Sequence, residues 1–319
     1  MASTGLTSSS AERRWVRPRR FDRNLIVIGA GSAGLVSAYI AASAKAKVTL
    51  VEANRMGGDC LNFGCVPSKA LIKSAKVAHQ MRHADRYGLH SVEPEITFSA
   101  VMKRIHKVIA EIEPHDSIER YTALGVEVLQ GYARFIDPWT VAIALNGGET
   151  LRLTSRAIII ATGARPVMPP IPGMEEVDVL TSDTLWDRLR DRPEAPKRLV
   201  VLGGGPIGCE LAQSFARLGS EVTQLEMAPR LMMREDEDAS SLVAASLTAD
   251  GVTVLTGHKA VACGVDAEGK WIDIENAGET RRIAFDEIIA AVGRASRLKG
   301  FGLEEIGIEV DRVLETNAY

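Results

Sequence analysis

The chain has 319 residues, 46% of them hydrophobic and 25% charged, with a net charge of −3. Those proportions suit a soluble globular protein with a sizeable core, and the length suggests two domains. An aromatic content of only 5% and a slightly negative balance argue against a nucleic-acid partner, and no apolar run approaches the roughly 18 residues that span a bilayer.

Residues 1–20 differ from the rest. Met1 to Ser10 is rich in Ser and Thr, and residues 13–20 form a basic run with one tryptophan, Trp15. Without an apolar h-region this is not a signal peptide, and its composition is that of a disordered basic tail. The sharper alternative is weak membrane association, because clustered arginines attract anionic lipids. From Asn24 to Ile28 a short apolar run reads as a buried parallel strand leading into Gly29-Ala30-Gly31-Ser32-Ala33-Gly34. This is a G-x-G-x-x-G turn: Gly29 permits the tight turn, Gly31 lets a pyrophosphate approach, and Gly34 lets the next helix, Leu35 to Ala44, pack close. A second strand, Val48 to Val51, ends at Glu52, 23 positions after Gly29 and placed to bind a ribose hydroxyl pair.

Just after that unit, Gly57-Gly58-Asp59-Cys60-Leu61-Asn62-Phe63-Gly64-Cys65-Val66-Pro67-Ser68-Lys69 sets two cysteines five apart. Val66 to Ala78 is rich in helix formers, with Pro67 at a first-turn position. Cys65 therefore falls at a helix N-terminus, where the macrodipole and free N–H groups favour a thiolate, and Lys69 lies on the same face. The pattern supports a redox-active disulfide beside a cofactor, against a buried pair or half of a metal site. Zinc pairs usually come with a second pair, whereas Cys209 and Cys263 are isolated, so no metal site is predicted. This cysteine usage fits a reducing cytoplasm. His79 and His83, four apart on the same helix, read as a solvated face.

Phe98 to Glu111 has helical periodicity, and Val126 to Ile160 alternates like a strand meander turning at Asn146-Gly147-Gly148. The strand ending at Thr162 and Gly163 closes the first unit; Pro166 to Pro172 links it to the next, and Asp191 to Pro196 is a loop. The arrangement then repeats. Leu199 to Leu202 runs into Gly203-Gly204-Gly205-Pro206-Ile207-Gly208, a helix follows to Leu218, and Val222 to Leu225 ends at Glu226, 23 positions after Gly203. Ile288 to Gly293 closes this second unit. Equal offsets imply two dinucleotides around one dithiol, an electron path from nicotinamide through flavin to disulfide.

On these motifs the chain from Asn24 onward resembles the class I pyridine nucleotide-disulfide oxidoreductases, the family of glutathione reductase, dihydrolipoamide dehydrogenase and mercuric reductase. Its core signature is Gly57 to Lys69. The resemblance implies an α/β fold of two Rossmann-like dinucleotide-binding domains, the second inserted in the first: FAD-binding over 21–165, NAD(P)-binding over 166–292, and a return to the first over 293–319. FAD would meet Gly29, Gly31, Ser32, Ala33, Gly34, Glu52, Gly58, Asp59, Lys69, Ala133, Thr162 and Gly163. NAD(P)H would meet Gly203, Gly205, Pro206, Ile207, Gly208, Glu226 and Gly293. Cys65 resembles the charge-transfer thiol against the flavin, Cys60 the interchange thiol that meets substrate, Lys69 the lysine beside the flavin, and Glu210 the acid that pairs with it. Asp59 stands where relatives often carry threonine, which unsettles the local FAD contacts.

Residues 104–138 look most like the mercuric reductase-like branch, so the expected substrate is Hg(II) or a disulfide. Dihydrolipoamide dehydrogenase is the alternative within the enzyme class, and a non-catalytic flavin-binding or interaction module the alternative outside it. Glu226 favours NADH over NADPH, because a carboxylate binds a ribose hydroxyl and repels a 2′-phosphate, with Arg230 and Arg234 near enough in sequence to oppose it. The resemblance also implies a homodimer, held by a C-terminal interface domain beyond Tyr319. The chain is accordingly expected to be a fragment of a longer enzyme, binding FAD weakly by itself.

Overall fold

The computed structural model describes residues 15–317. The greater part of the basic tail lies outside them; within them Arg17 stacks over the ring of Phe21 at 5.8 Å.

The first sheet is built from β1 (Arg23–Ile28), followed by α1 (Ser32–Ser43), and β2 (Val48–Glu52). Then come α2 (Gly58–Asn62), α3 (Cys65–Arg82), α4 (Phe98–Ile112) and α5 (Ile118–Ala123), before β3 (Val126–Asp137), β4 (Thr140–Leu145) and β5 (Thr150–Ile160). β1 pairs in parallel with β2 and β5, and β2 with β3. The long strands serve twice. Residues 126–130 of β3 pair with β2 while its later residues pair antiparallel with β4, and β5 divides in the same way between β4 and β1. The five strands thus close into a barrel-like circuit.

β6 (Ala164–Pro166) leads out of this unit, and β7 (Leu180–Thr181), α6 (Leu185–Arg188), β8 (Arg198–Leu202), α7 (Pro206–Arg217), β9 (Glu221–Glu226), α8 (Glu237–Ala249) and β10 (Thr253–Thr256) build the next. The meander β11 (Lys259–Asp266), β12 (Gly269–Asn276) and β13 (Glu279–Phe285) follows, then β14 (Glu287–Ala290) and the return strand β15 (Arg294–Ser296). The second sheet is parallel, in the order β10-β9-β8-β14-β7. β6 and β15 pair antiparallel, Arg165 opposite Ala295, so the chain enters and leaves the second unit at one place. Beyond β15, Phe301 and Leu303 are buried with Phe135, Ile143 and Leu153, and the Phe135 amide donates to the Phe301 carbonyl at 2.8 Å. The last described residues are therefore packed on the first unit.

Between the two sheets lies a shared core. α3 buries Pro67, Ala70, Leu71, Ala75 and Ala78 along one stripe, and α4 buries Phe98, Met102 and Ile105 at i, i+4 and i+7. Removing each of those three large side chains of α4 from water contributes roughly 1.5–3 kcal/mol. They meet Leu211 and Phe215 of α7, with the Phe98 and Phe215 rings tilted at 6.0 Å. This packing is what fixes α3, the helix headed by Cys65, against the second unit. Among the described residues no helix is long and apolar enough to cross a membrane.

Candidate active site

Both glycine turns have the same geometry. Gly29 and Gly203 adopt φ of +104° and +108°, and a Cβ on either would sit 2.3 Å from the Ala161 carbonyl oxygen or 2.4 Å from that of Ala291. Only glycine satisfies both demands. A Cβ at Gly34 or Gly208 would fall 1.7 Å from the Gly29 oxygen or 2.1 Å from the Gly203 oxygen, so the helix is seated directly on its own turn. That seating explains why α1 starts at Ser32, three residues before the start expected from the apolar pattern. At the middle glycines the opposite holds: a Cβ on Gly31 would be 3.9 Å from the Gly58 Cα, and one on Gly205 would meet nothing within 4 Å. These are open positions above the turns.

The acids at the strand ends face those turns. Glu52, 8% exposed, accepts from the Ala30 amide at 2.6 Å and the Asn54 amide at 2.7 Å. Glu226 accepts from Gly204 at 2.6 Å and Ala228 at 2.7 Å. Over the first turn a cleft of about 1020 Å³ is lined by Gly29, Gly31, Ser32, Ala33, Glu52, Gly58, Asp59, Cys60, Cys65, Ala133, Thr162 and Gly163. On the second unit, Pro206 opens α7, Ile207 and Gly208 continue its first turn, and the Gly293 carbonyl accepts from Val167 at 3.0 Å where the linkers cross.

Cys60 lies in α2 and Cys65 is the exposed first residue of α3; both thiols are free. Burial, then the Cys65 thiol beside it, pushes the Cys60 thiol up, opposed by a hydrogen bond from Ser32. One turn into α3, Lys69 Nζ binds both carboxylate oxygens of Glu210 on α7, at 2.8 and 2.7 Å. Residues 141 positions apart are thus joined across the two units.

Two glycine turns, two strand-end acids and a dithiol at the mouth of the first cleft thus belong to one framework. Residues 23–319 match the model of the pyridine nucleotide-disulphide oxidoreductases. The chain belongs to that family. A mercuric reductase from Bacillus cereus is 33% identical over 290 residues, covering 91% of this chain and 44% of that protein. A dihydrolipoyl dehydrogenase from Thermus scotoductus is 36% identical over 300 residues, covering 90% of this chain and 60% of that protein. Among solved structures, the Cu(II) complex of a mutant of the HOCl-induced flavoprotein disulfide reductase RclA from Escherichia coli superposes with a TM-score of 0.77 at 27% identity, over 92% of this chain and 61% of that one. The chain therefore spans 44% to 61% of the length of these relatives. The pyridine nucleotide-disulphide oxidoreductases are FAD-dependent and use NAD(P)H.

Several residues around the cleft escape motif reading. Asp59 is 3.0 Å from the Arg294 guanidinium, which also donates to Ser182 at 2.8 Å and Asp183 at 3.2 Å. Burial pushes the Asp59 carboxyl up, and Asp183 adds to it, while Arg294 opposes. Thr162 donates to the Arg297 carbonyl at 2.6 Å, and the Arg297 amide donates to Gly163 at 2.9 Å. Arg294 directly follows Gly293 and Arg297 comes three residues later, a cue of position rather than of spacing. The expectation that His79 and His83 form a solvated face is corrected. His79 Nδ1 lies 2.8 Å from Asp250 at the end of α8, and its ring stacks on His83 at 4.2 Å. The helix face that the pattern leaves polar is covered by the second unit. No group of His, Cys, Asp and Glu that could hold a metal ion occurs among the described residues.

Proposed function

We propose that this chain carries the nucleotide-binding and dithiol parts of an FAD-dependent NAD(P)H oxidoreductase, passing electrons to Cys60 and Cys65 and on to a disulfide or metal-ion substrate in the manner of mercuric reductase. The observation that carries the reading is the convergence on one cleft of the first glycine turn, Glu52 and both thiols. FAD is assigned to the unit formed by 21–165 and 293–319, NAD(P)H to 166–292, and the full-length enzyme is proposed to be a homodimer.

The residues fit these groups. The open position at Gly31 admits a pyrophosphate to the N–H groups heading α1, Glu52 holds a ribose, and Ala133 and Gly163 leave room along the cleft. Bound there, FAD supplies a two-electron carrier between nicotinamide and dithiol. Lys69, held by Glu210, keeps a positive charge one turn into α3, the helix that Cys65 heads. Cys65, exposed at that helix start, is the thiol on the flavin side, and Cys60 exchanges with substrate. With a disulfide substrate one NAD(P)H and one proton are consumed and two thiols form; with Hg(II) one NAD(P)H is consumed, the metal takes the two electrons and leaves as Hg(0), and one proton is released.

Glu226 supports NADH over NADPH. Arg230, the nearer opposing cation in sequence, is engaged by its own loop, donating to the carbonyls of Met232 at 3.0 Å and Met233 at 3.2 Å. A second reading, dihydrolipoamide dehydrogenase, has support from relatives of that name at comparable identity. The FAD-loaded full-length enzyme decides among these. Turnover is measured with NADH and NADPH against Hg(II), oxidised glutathione and lipoamide, for wild type, Cys60→Ser and Cys65→Ser. Hg(II)-dependent NADH oxidation lost in both variants is expected. Preference for lipoamide selects the second reading, and unimpaired disulfide reduction in both variants refutes a redox pair.

A further inference from the structure

The interval between the two thiols is tied to the second unit at a place that no motif marks. Leu61 is buried, and Asn62 Nδ2 donates to the Met56 and Gly58 carbonyls at 3.0 and 2.8 Å. The amides of Phe63 and Gly64 both donate to the Asp59 carbonyl, at 2.9 and 2.6 Å. The Phe63 carbonyl of this turn accepts from the indole N–H of Trp186 at 2.7 Å. Trp186 belongs to α6, 123 positions along the chain, and is 3% exposed in the shared core that also packs Phe63.

Trp186 is itself held from behind. Its carbonyl lies 3.1 Å from His106 Nε2, and His106 Nδ1 lies 3.0 Å from the Arg190 guanidinium. A guanidinium only donates, so Nδ1 is the acceptor and Nε2 carries the proton that Trp186 accepts. The series Arg190, His106, Trp186, Phe63 runs from the surface to the dithiol turn with each donor matched to an acceptor.

We propose that Trp186 is a positioning residue for the Cys60–Cys65 pair, fixing from the second unit the turn on which their disulfide closes. The proposal rests on reading those cysteines as a redox pair. Closure of a disulfide demands a narrow range of Cα and Cβ separations, so the turn's freedom sets how readily the ring closes. The bond from Trp186 is made with both thiols free; drawing the cysteines together shifts the Phe63 carbonyl and weakens that bond, so on this proposal it favours the dithiol. In closure the two thiols give up two electrons and two protons to an oxidant, here the disulfide form of a redox buffer.

The test equilibrates the full 319-residue chain in graded glutathione buffers and quantifies the 60–65 disulfide by alkylation and peptide mapping. Trp186→Phe keeps an aromatic ring and deletes the N–H. Its equilibrium is expected to move about tenfold toward the disulfide, about 30 mV for a two-electron couple, with only a small loss of melting temperature. Trp186→Leu, which removes the ring as well, is expected to add a clear loss of melting temperature. A Phe variant whose equilibrium is unchanged, or moves toward the dithiol, overturns the proposal and leaves Trp186 a packing residue. If the wild type forms no 60–65 disulfide in any buffer, the redox-pair reading fails first and takes this proposal with it.

Discussion

At the scale of single residues, the two cysteines are chemically unequal even before any cofactor is considered. Cys65 projects from the start of an 18-residue helix and is exposed, whereas Cys60 is half-buried with its thiol pushed up by burial, by Cys65 and by the Asp116 carboxylate. A thiol reacts as its thiolate, so shielding and a raised titration point slow the same residue. Iodoacetamide added to the reduced protein near pH 8 is expected to label Cys65 roughly tenfold faster than Cys60, and the gap should narrow as pH rises. Mass spectrometry of the two peptides checks this; equal rates at pH 8 would mean that Cys60 is not shielded. The Lys69–Glu210 pair, by contrast, has side chains 60% and 37% exposed, and an exposed ion pair contributes only about 0–1 kcal/mol. Its value to the protein is where it holds the ammonium group, not the stability it adds.

At the scale of elements, the glycine turns separate folding from binding within a single motif. Gly208 is pressed on the Gly203 carbonyl, while Gly205, the residue capping α7, has open space above it. Gly208→Ala should therefore cost about 1–3 kcal/mol or more through forced movement of backbone, read as a lowered melting temperature. Gly205→Ala should cost no more than about 1 kcal/mol, since alanine is a poorer cap than glycine but the backbone is extended and the space open. Yet its methyl occupies the approach to the turn, and NADH affinity measured by calorimetry is expected to fall about tenfold or more. An alanine at 205 that binds NADH as tightly as wild type would remove the second turn from the proposed nucleotide site. These elements were legible because their chemistry is local: strand, turn, helix and acid lie within about 30 residues in each unit. β7 was not legible, being a two-residue strand. Neither were Arg294 and Trp186, whose partners Asp59 and Phe63 lie more than 100 residues away, so no periodicity or spacing reports them.

At the scale of the whole molecule, the question is what keeps the two units in register, since the covalent links are only the β6 and β15 crossings. Apolar packing of α3 and α4 on α7 does much of this, and polar contacts close its rim. Arg82 donates to the Arg217 carbonyl at 2.6 Å, and the 5%-exposed carboxylate of Asp250 binds Arg217 at 2.8 Å, Gln213 at 2.7 Å and His79 at 2.8 Å. Although its burial acts the other way, Arg217 with Gln213 and His79 holds the Asp250 carboxyl below the usual carboxylate range. For His79, burial and then the Arg217 charge lower the ring's titration below its ordinary 6.5, outweighing Asp250. Above its ordinary 6.5 the ring is thus neutral, with Nδ1 as the donor to Asp250. A depressed folded value means that the unfolded chain binds more protons, so stability rises with pH. The contribution of His79 is fully present above about pH 6.5 and is lost as pH falls through the lower folded value; that of Asp250 is lost only below about pH 3.8. His79→Asn keeps an N–H donor toward Asp250 without a titrating ring. Urea unfolding from pH 7.5 to 5 is expected to give a stability for wild type that falls on acidification, and a flatter profile for the variant over the same window. Parallel profiles would place the acid sensitivity elsewhere and leave His79 a packing contact between the units.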